Sequence, residues 1–147
     1  LAALAANQNH SGAQLGLAQV LFELGDFAAA IEEFTKAYRI DEITARDGLV
    51  QARMEQGKNL EEASQMSEAM RQYRQVLRIF PGYELARQRL AALWSEKGHV
   101  TLTTQGLTVA LEPYQRALQY SIHLMRLHRP WMQLLALPSG QGQFRAR

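Results

Sequence analysis

The sequence predicts an all-α protein in which paired helices repeat about three times. Three observations carry that prediction: apolar residues recur at helical spacing, glycines punctuate them, and the pattern returns along the chain. AQLGLAQVLFELG at 13–25 and ARDGLVQARMEQG at 45–57 share six of 13 residues, and ARQRLAALWSEKG at 86–98 shares five of 13 with the second. Each block ends on glycine, at Gly25, Gly57 and Gly98. Downstream, AAIEEFTKAY at 29–38, AMRQYRQVL at 69–77 and ALEPYQRAL at 110–118 each place an aromatic residue four positions after an alanine.

The first block puts Leu17, Ala18 and Leu21 on one helix face, and the block after it does the same with Ala30, Phe34 and Ala37. Small residues let two backbones approach, and the Phe34 ring fills the space beside them. Gly25 supplies the left-handed conformation that ends the first helix, and Asp26 caps the second. The expected core is Leu17, Leu21, Ala30, Phe34, Leu49, Tyr73, Leu90, Trp94 and Tyr114.

Repeats two and three are seven residues longer than repeat one between glycine and alanine, close to two helical turns. In repeat two the stretch NLEEASQMSEAM has Asn59 as a cap and Glu62 three residues later, which predicts one long second helix. In repeat three VTLTTQGLTVALEP carries threonines, Gly106 and Pro113, and predicts a looped or broken segment. The opening LAALAANQNHSG reads as the end of a second helix with an exit turn at Asn9-His10. The expectation is an array that starts inside a repeat whose first helix lies upstream.

At these residues the sequence resembles the tetratricopeptide repeat family. Repeat one supplies Leu17, Ala18, Leu21, Gly25, Ala30, Phe34 and Ala37, with Glu42 where the family has proline. Repeat two supplies Leu49, Gly57, Ala69, Tyr73 and Pro81, with Val50 for the small residue and Arg53 for the aromatic. Repeat three supplies Leu90, Ala91, Trp94, Gly98, Ala110, Tyr114 and Ala117, and no repeat keeps the family's initial tryptophan. The resemblance implies a right-handed superhelical stack of helix-turn-helix units. Its expected parts are a partial repeat at 1–10 and repeats at 11–42, 43–83 and 84–125. A capping or interface segment at 126–137, able to self-associate, and a flexible basic tail at 138–147 would follow.

Composition narrows the function. With no cysteine, disulfides, zinc-thiolate sites and thiol nucleophiles are excluded. No run approaches the ~20 apolar residues of a membrane span, and no phosphate-binding, dinucleotide-binding or zinc-protease motif occurs. His123 and His128 lie five residues apart, on different helix faces, so they make no metal pair. No catalytic residue, metal or cofactor is expected. The net charge of +2 divides into 11 Lys and Arg against 14 acids over 1–112, and five arginines with no acid over 113–147. Arg71, Arg74 and Arg78 share a face and, with Arg87 and Arg89, could track phosphates. The interleaved acids favour a solvated face over nucleic acid.

In the family the groove is lined by first helices and takes peptides or helices of partner proteins. Carried onto this chain, the groove comprises Leu15, Gln19, Phe22 and Glu23, then Asp47, Gln51, Met54 and Glu55, then Gln88, Ala92, Ser95 and Glu96. The basic clamp of chaperone-binding members would fall at Leu15, Gln19, Gly48, Leu85 and Arg89, where only Arg89 fits. A row of acids, Glu23, Glu55 and Glu96, stands two residues before each glycine, at helix ends where acids oppose the macrodipole. The resulting expectation is a non-catalytic interaction scaffold for a neutral to basic peptide. The alternative is a regulatory or substrate-guiding segment of a larger enzyme or of a secretion or polysaccharide-export machine.

Overall fold

The computed structural model describes residues 2–127, and these form six α-helices with no strand among them. They are α1 (Ala2–Glu23), α2 (Phe27–Ile40), α3 (Glu42–Glu62), α4 (Met66–Ile79), α5 (Glu84–Gln105) and α6 (Leu107–Leu127). Each packs chiefly on its chain neighbours, as stacked hairpins do.

Local chemistry sets the breaks. Gly25 has φ +81°, and Asp26 N–H donates to Leu21 C=O at 3.0 Å, a Schellman-type close to α1. Asp26 Oδ1 then accepts from Ala29 N–H at 3.1 Å and starts α2. The same pattern returns 39 residues later. Ser64, at φ 59°, takes the place of Gly25, and Gln65 N–H donates to Leu60 C=O at 2.8 Å. Gly106, at φ +91°, separates α5 from α6.

Several expectations change on this evidence. Gly57 and Gly98 do not end helices; both are buried inside α3 and α5. A Cβ on Gly57 would lie 2.6 Å from the Tyr73 ring, and one on Gly98 would lie 3.0 Å from the Tyr114 ring. These glycines are therefore small because an aromatic residue sixteen positions later packs on them. Ala18, buried sixteen positions before Phe34, is their counterpart in α1. Repeat two carries no added segment: α1 and α3 have 22 and 21 residues, α2 and α4 have 14 each, and Asn59 is an interior residue of α3 rather than the cap of a long second helix. The exit turn expected at Asn9-His10 is absent, because α1 runs unbroken through it. In VTLTTQGLTVALEP only Gly106 interrupts the chain. The threonines stay helical by bonding their hydroxyls back, Thr101 to Lys97 C=O at 2.6 Å and Thr104 to Val100 C=O at 2.8 Å. Pro113 lies inside α6.

The core forms two clusters bridged by α3. Ala18, Ala30, Phe34, Leu49 and Ala52 make the first. Val50, Met54, Tyr73, Val76, Leu90 and Trp94 anchor the second. Leu21 is half-buried against the first cluster. Two expected core residues are not core: Leu17 is 50% exposed and Tyr114 is 36% exposed. Both lie on outward faces of the end helices. Val50 and Arg53 do not replace family positions in α3. The small residue there is Gly57, and Leu60 stands where α1 has Leu21.

Asp41 provides a pH-dependent clamp on α3. Its carboxylate accepts from the Thr44 hydroxyl and from Thr44 N–H at 3.3 Å, and these bonds hold its pKa below the usual carboxylate value. A depressed folded pKa contributes stability above the unfolded pKa of about 3.9 and loses it as pH falls through the folded value. Asp41→Ala should therefore lower the melting temperature at neutral pH by more than it does near about pH 2. Equal shifts at both pH values would show that the charge contributes nothing.

Candidate functional site

A cleft lies between α4 and the second half of α5. Near its start, α5 packs on α4 through Ala86, Leu90 and Leu93, all buried. The same stripe then continues at helical spacing as Lys97, Val100 and Thr104. These do not close against Met66 and Met70 of α4, and a cleft of about 360 Å³ remains. Met66, Met70, Leu93 and Val100 supply apolar surface, while Ser67, Glu96, Lys97, Thr101, Thr104 and Gln105 supply polar edges.

Trp94 fixes one side of this region. It is buried, with Lys97 Nζ 5.0 Å and the Arg116 guanidinium 4.9 Å from its ring centroid. Lys97 is thus drawn across the Trp94 face at the cleft edge. A second, more open hollow is lined by Ala92, Ser95, Glu96, His99, Val100 and Tyr114. Glu96 and Val100 line both, so one strip of α5 serves two adjoining concavities.

The structure sorts the groove residues read from the sequence. Gln88, Ala92, Ser95 and Glu96 are exposed on α5, and the last three line the open hollow. Gln88 donates to Glu84 at 2.9 Å, and Gln19 donates to Glu23 at 2.8 Å. Asp47 and Gln51 are exposed on α3, Glu55 is half-buried, and Leu15 and Phe22 are half-buried on α1. Met54 is removed from the set, because it is 8% exposed and packed in the second core cluster.

The acid row also breaks up. Glu23 ends α1, but Glu55 and Glu96 lie seven and nine residues before the ends of α3 and α5. Aligned on the glycine–aromatic contacts, the α1 position matching Glu55 and Glu96 is Gly16, not Glu23. The offset is seven residues, about two turns, so the first-repeat residues keep their face and change their level.

The basic residues are mostly engaged. Arg87 is buried, with Nε donating to Pro81 C=O at 2.9 Å. Arg71 pairs with Glu68 at 2.8 Å, and Arg89 pairs with Glu61 at 3.5 Å. Glu61 also accepts from the buried Tyr73 hydroxyl, so Tyr73, Glu61 and Arg89 tie α4, α3 and α5 together. Arg53 is half-buried and donates to Gln72 at 3.0 Å; burial and then Arg71 push its pKa down. Arg74 and Arg78 are exposed on α4, so three of the five arginines of the run are engaged and two face solvent. Among the described residues no group of three or more histidine or carboxylate side chains could hold a metal, and no helix is long and apolar enough to cross a membrane. His128 and the segments 128–137 and 138–147 lie outside the described residues, as does the His123 side chain.

Sequence reasoning missed Met66, Met70, Lys97, Val100, Thr101 and Thr104. The signal was present: Ala86, Leu90, Leu93, Lys97, Val100 and Thr104 alternate steps of four and three, the spacing of one helix stripe. Reading the threonine run as a loop hid it.

Comparison with protein families agrees with this hairpin geometry. Residues 11–44 match the tetratricopeptide repeat. The match spans the second half of α1, all of α2 and the start of α3. No curated protein matches the chain. The match supports the family resemblance, and the sixteen-residue pairing of Ala18 with Phe34 inside it recurs as Gly57 with Tyr73 and Gly98 with Tyr114. Tetratricopeptide repeats indicate protein–protein interaction as the general role.

Proposed function

We propose that the chain is a non-catalytic scaffold that holds a peptide or helix of a partner protein, with the α4–α5 cleft receiving an apolar anchor side chain. The cleft between Met70 and Leu93, edged by Glu96 and Lys97, carries this reading. Its floor is apolar, and its edge offers one acid and one base that is already drawn toward Trp94. Glu96 therefore remains the charge available to a ligand, which favours a neutral or basic peptide over an acidic one. Gln51 and Gln88 add amide donors and acceptors along the neighbouring helices.

Methyl-labelled methionine provides the test. Met66 and Met70 line the cleft, and Met54 lies in the core as an internal control. Titration with synthetic peptides bearing one leucine or phenylalanine anchor, in acidic, neutral and basic versions, should move the Met66 and Met70 signals and leave Met54 in place. Glu96→Gln should weaken the basic version by up to about fivefold, the worth of an exposed pair. Preference for the acidic version, or silence at both cleft methyls, would rule the reading out.

A further inference from the structure

The two end helices of the stack carry matching apolar rows. In α2 the row Phe27, Ile31, Phe34 and Tyr38 is buried or half-buried, and α3 covers it with Leu49 and Ala52. In α4 the row Met66, Met70, Tyr73 and Leu77 is buried or half-buried, and α5 packs on it with Ala86, Leu90 and Leu93, leaving the cleft beside Met66 and Met70. The corresponding row of α6 is Leu107, Leu111, Tyr114 and Leu118, 41 residues on from the α4 row. All four are exposed, three of them by more than half.

At the other end, α1 holds the complementary face. Ala45, Leu49 and Ala52 of α3 are the buried positions that meet a preceding helix. Their counterparts 39 residues earlier are Ala6, His10 and Ala13, and the stripe continues as Leu17, Val20 and Leu24. All six are exposed. The chain therefore displays one half of its own interior helix–helix contact at each end. Charge differs in the same sense: residues 1–35 contain four acids and no Lys or Arg, and α6 contains Arg116 and Arg126 against Glu112 alone.

From this complementarity we infer that a second copy of this chain docks head to tail, its α1 stripe covering the α6 row of the first. The contact repeats the α2–α3 and α4–α5 packing between molecules, and the opposite charges of the two ends favour it. It joins different surfaces, so each added copy leaves one free end of each kind and association is open-ended. It uses neither Met66 nor Met70 and stands independently of the peptide-binding cleft.

Sedimentation velocity of the intact chain over about 1 to 200 µM should show mass rising with concentration beyond 16.6 kDa, without a stop at the dimer. Added salt should weaken the association, because exposed charges are screened within ~10 Å at 0.1 M. Leu111→Asp blocks one end and Leu17→Asp the other, both at exposed positions, and each variant alone should stay monomeric. Mixed, they should form a 1:1 dimer and nothing larger, since each retains one working end. Leu118→Asp repeats the first block if Leu111→Asp disturbs α6. A wild-type chain that remains at monomer mass throughout, as it would if residues 128–147 cover the α6 row, overturns the inference. So does a Leu17→Asp variant that associates like the wild type, which would mean pairing of α6 with α6.

Discussion

Replacing Phe34 with alanine is expected to lower the unfolding free energy by about 3 to 5 kcal/mol. The ring is 3% exposed and sits among Ala18, Ala30, Leu49 and Ala52, with Gly48 beneath its edge. A Cβ on Gly48 would lie 2.4 Å from Phe34 Cε1, so the α3 backbone passes directly against the ring. Most of these neighbours are alanine or glycine and have no side-chain length with which to fill a void. The site therefore collapses poorly, which places the cost toward the upper part of the range. Urea titration followed by circular dichroism measures it, and the melting temperature should fall by roughly 6 °C or more for a chain of this size. Because α1 and α2 join the rest mainly through α3, this end can also unfold separately, which would appear as a lowered m value. A variant that melts within a degree or two of the parent would show that Phe34 is not the keystone of the first cluster.

Much of the fold was legible in the residues, for a definite reason. Ala30, Phe34 and Ala37 recur as Ala69, Tyr73 and Val76, and as Ala110, Tyr114 and Ala117. A helix stripe is a local property, so spacing alone identified it in the second helix of each hairpin, although it did not set where α4 and α6 begin. Asp26 as a cap and Gly25 as a stop were equally local, and both stand.

What escaped was register, which depends on contacts far apart in sequence. A glycine can end a helix or let a ring approach one, and sequence alone does not distinguish the two. Gly25 does the first; Gly57 and Gly98 do the second. Ser64 performs the stopping role in repeat two, a poor local signal because serine rarely takes positive φ. Aligning the three glycines shifted repeat one by two turns, and the groove inherited the error. Glu23 entered an acid row in which it has no level counterpart, and Met54 was placed on the surface although it is buried. Leu17 and Tyr114 were read as core for a different reason. Each occupies a packing position, but on an end helix whose outward neighbour is absent among the described residues. Periodicity marks a face as apolar without saying whether anything covers it.

The register can be tested with one substitution made at two glycines. Gly57→Ala is expected to destabilise the protein by about 1 to 2 kcal/mol net. Inside α3, alanine gains about 0.5 to 1 kcal/mol in helix propensity over glycine. Against this, the new methyl would stand 2.6 Å from Tyr73 Cε1 and 2.8 Å from Cζ, distances that require something to move. The Tyr73 ring is 1% exposed, and its hydroxyl is held by Glu61, which also pairs with Arg89, so the ring cannot swing aside without breaking that chain. Overpacking of this kind costs about 1 to 3 kcal/mol and outweighs the propensity gain. Gly98→Ala meets a different neighbour: the Tyr114 ring lies 3.0 Å away but is 36% exposed and free to yield outward. There the propensity gain should win, leaving the variant neutral or stabilised by up to about 0.5 kcal/mol. Opposite signs at the two sites are the signature of a glycine read by the ring that packs on it. Were Gly57 and Gly98 helix stops at positive φ, both alanines would be strained and both variants would lose stability together. Adding Tyr73→Leu to Gly57→Ala removes the ring edge, so the combined loss should fall short of the sum of the two single losses. Strict additivity, or stabilisation by Gly57→Ala alone, would place Tyr73 away from the α3 backbone and return the register to the glycine alignment.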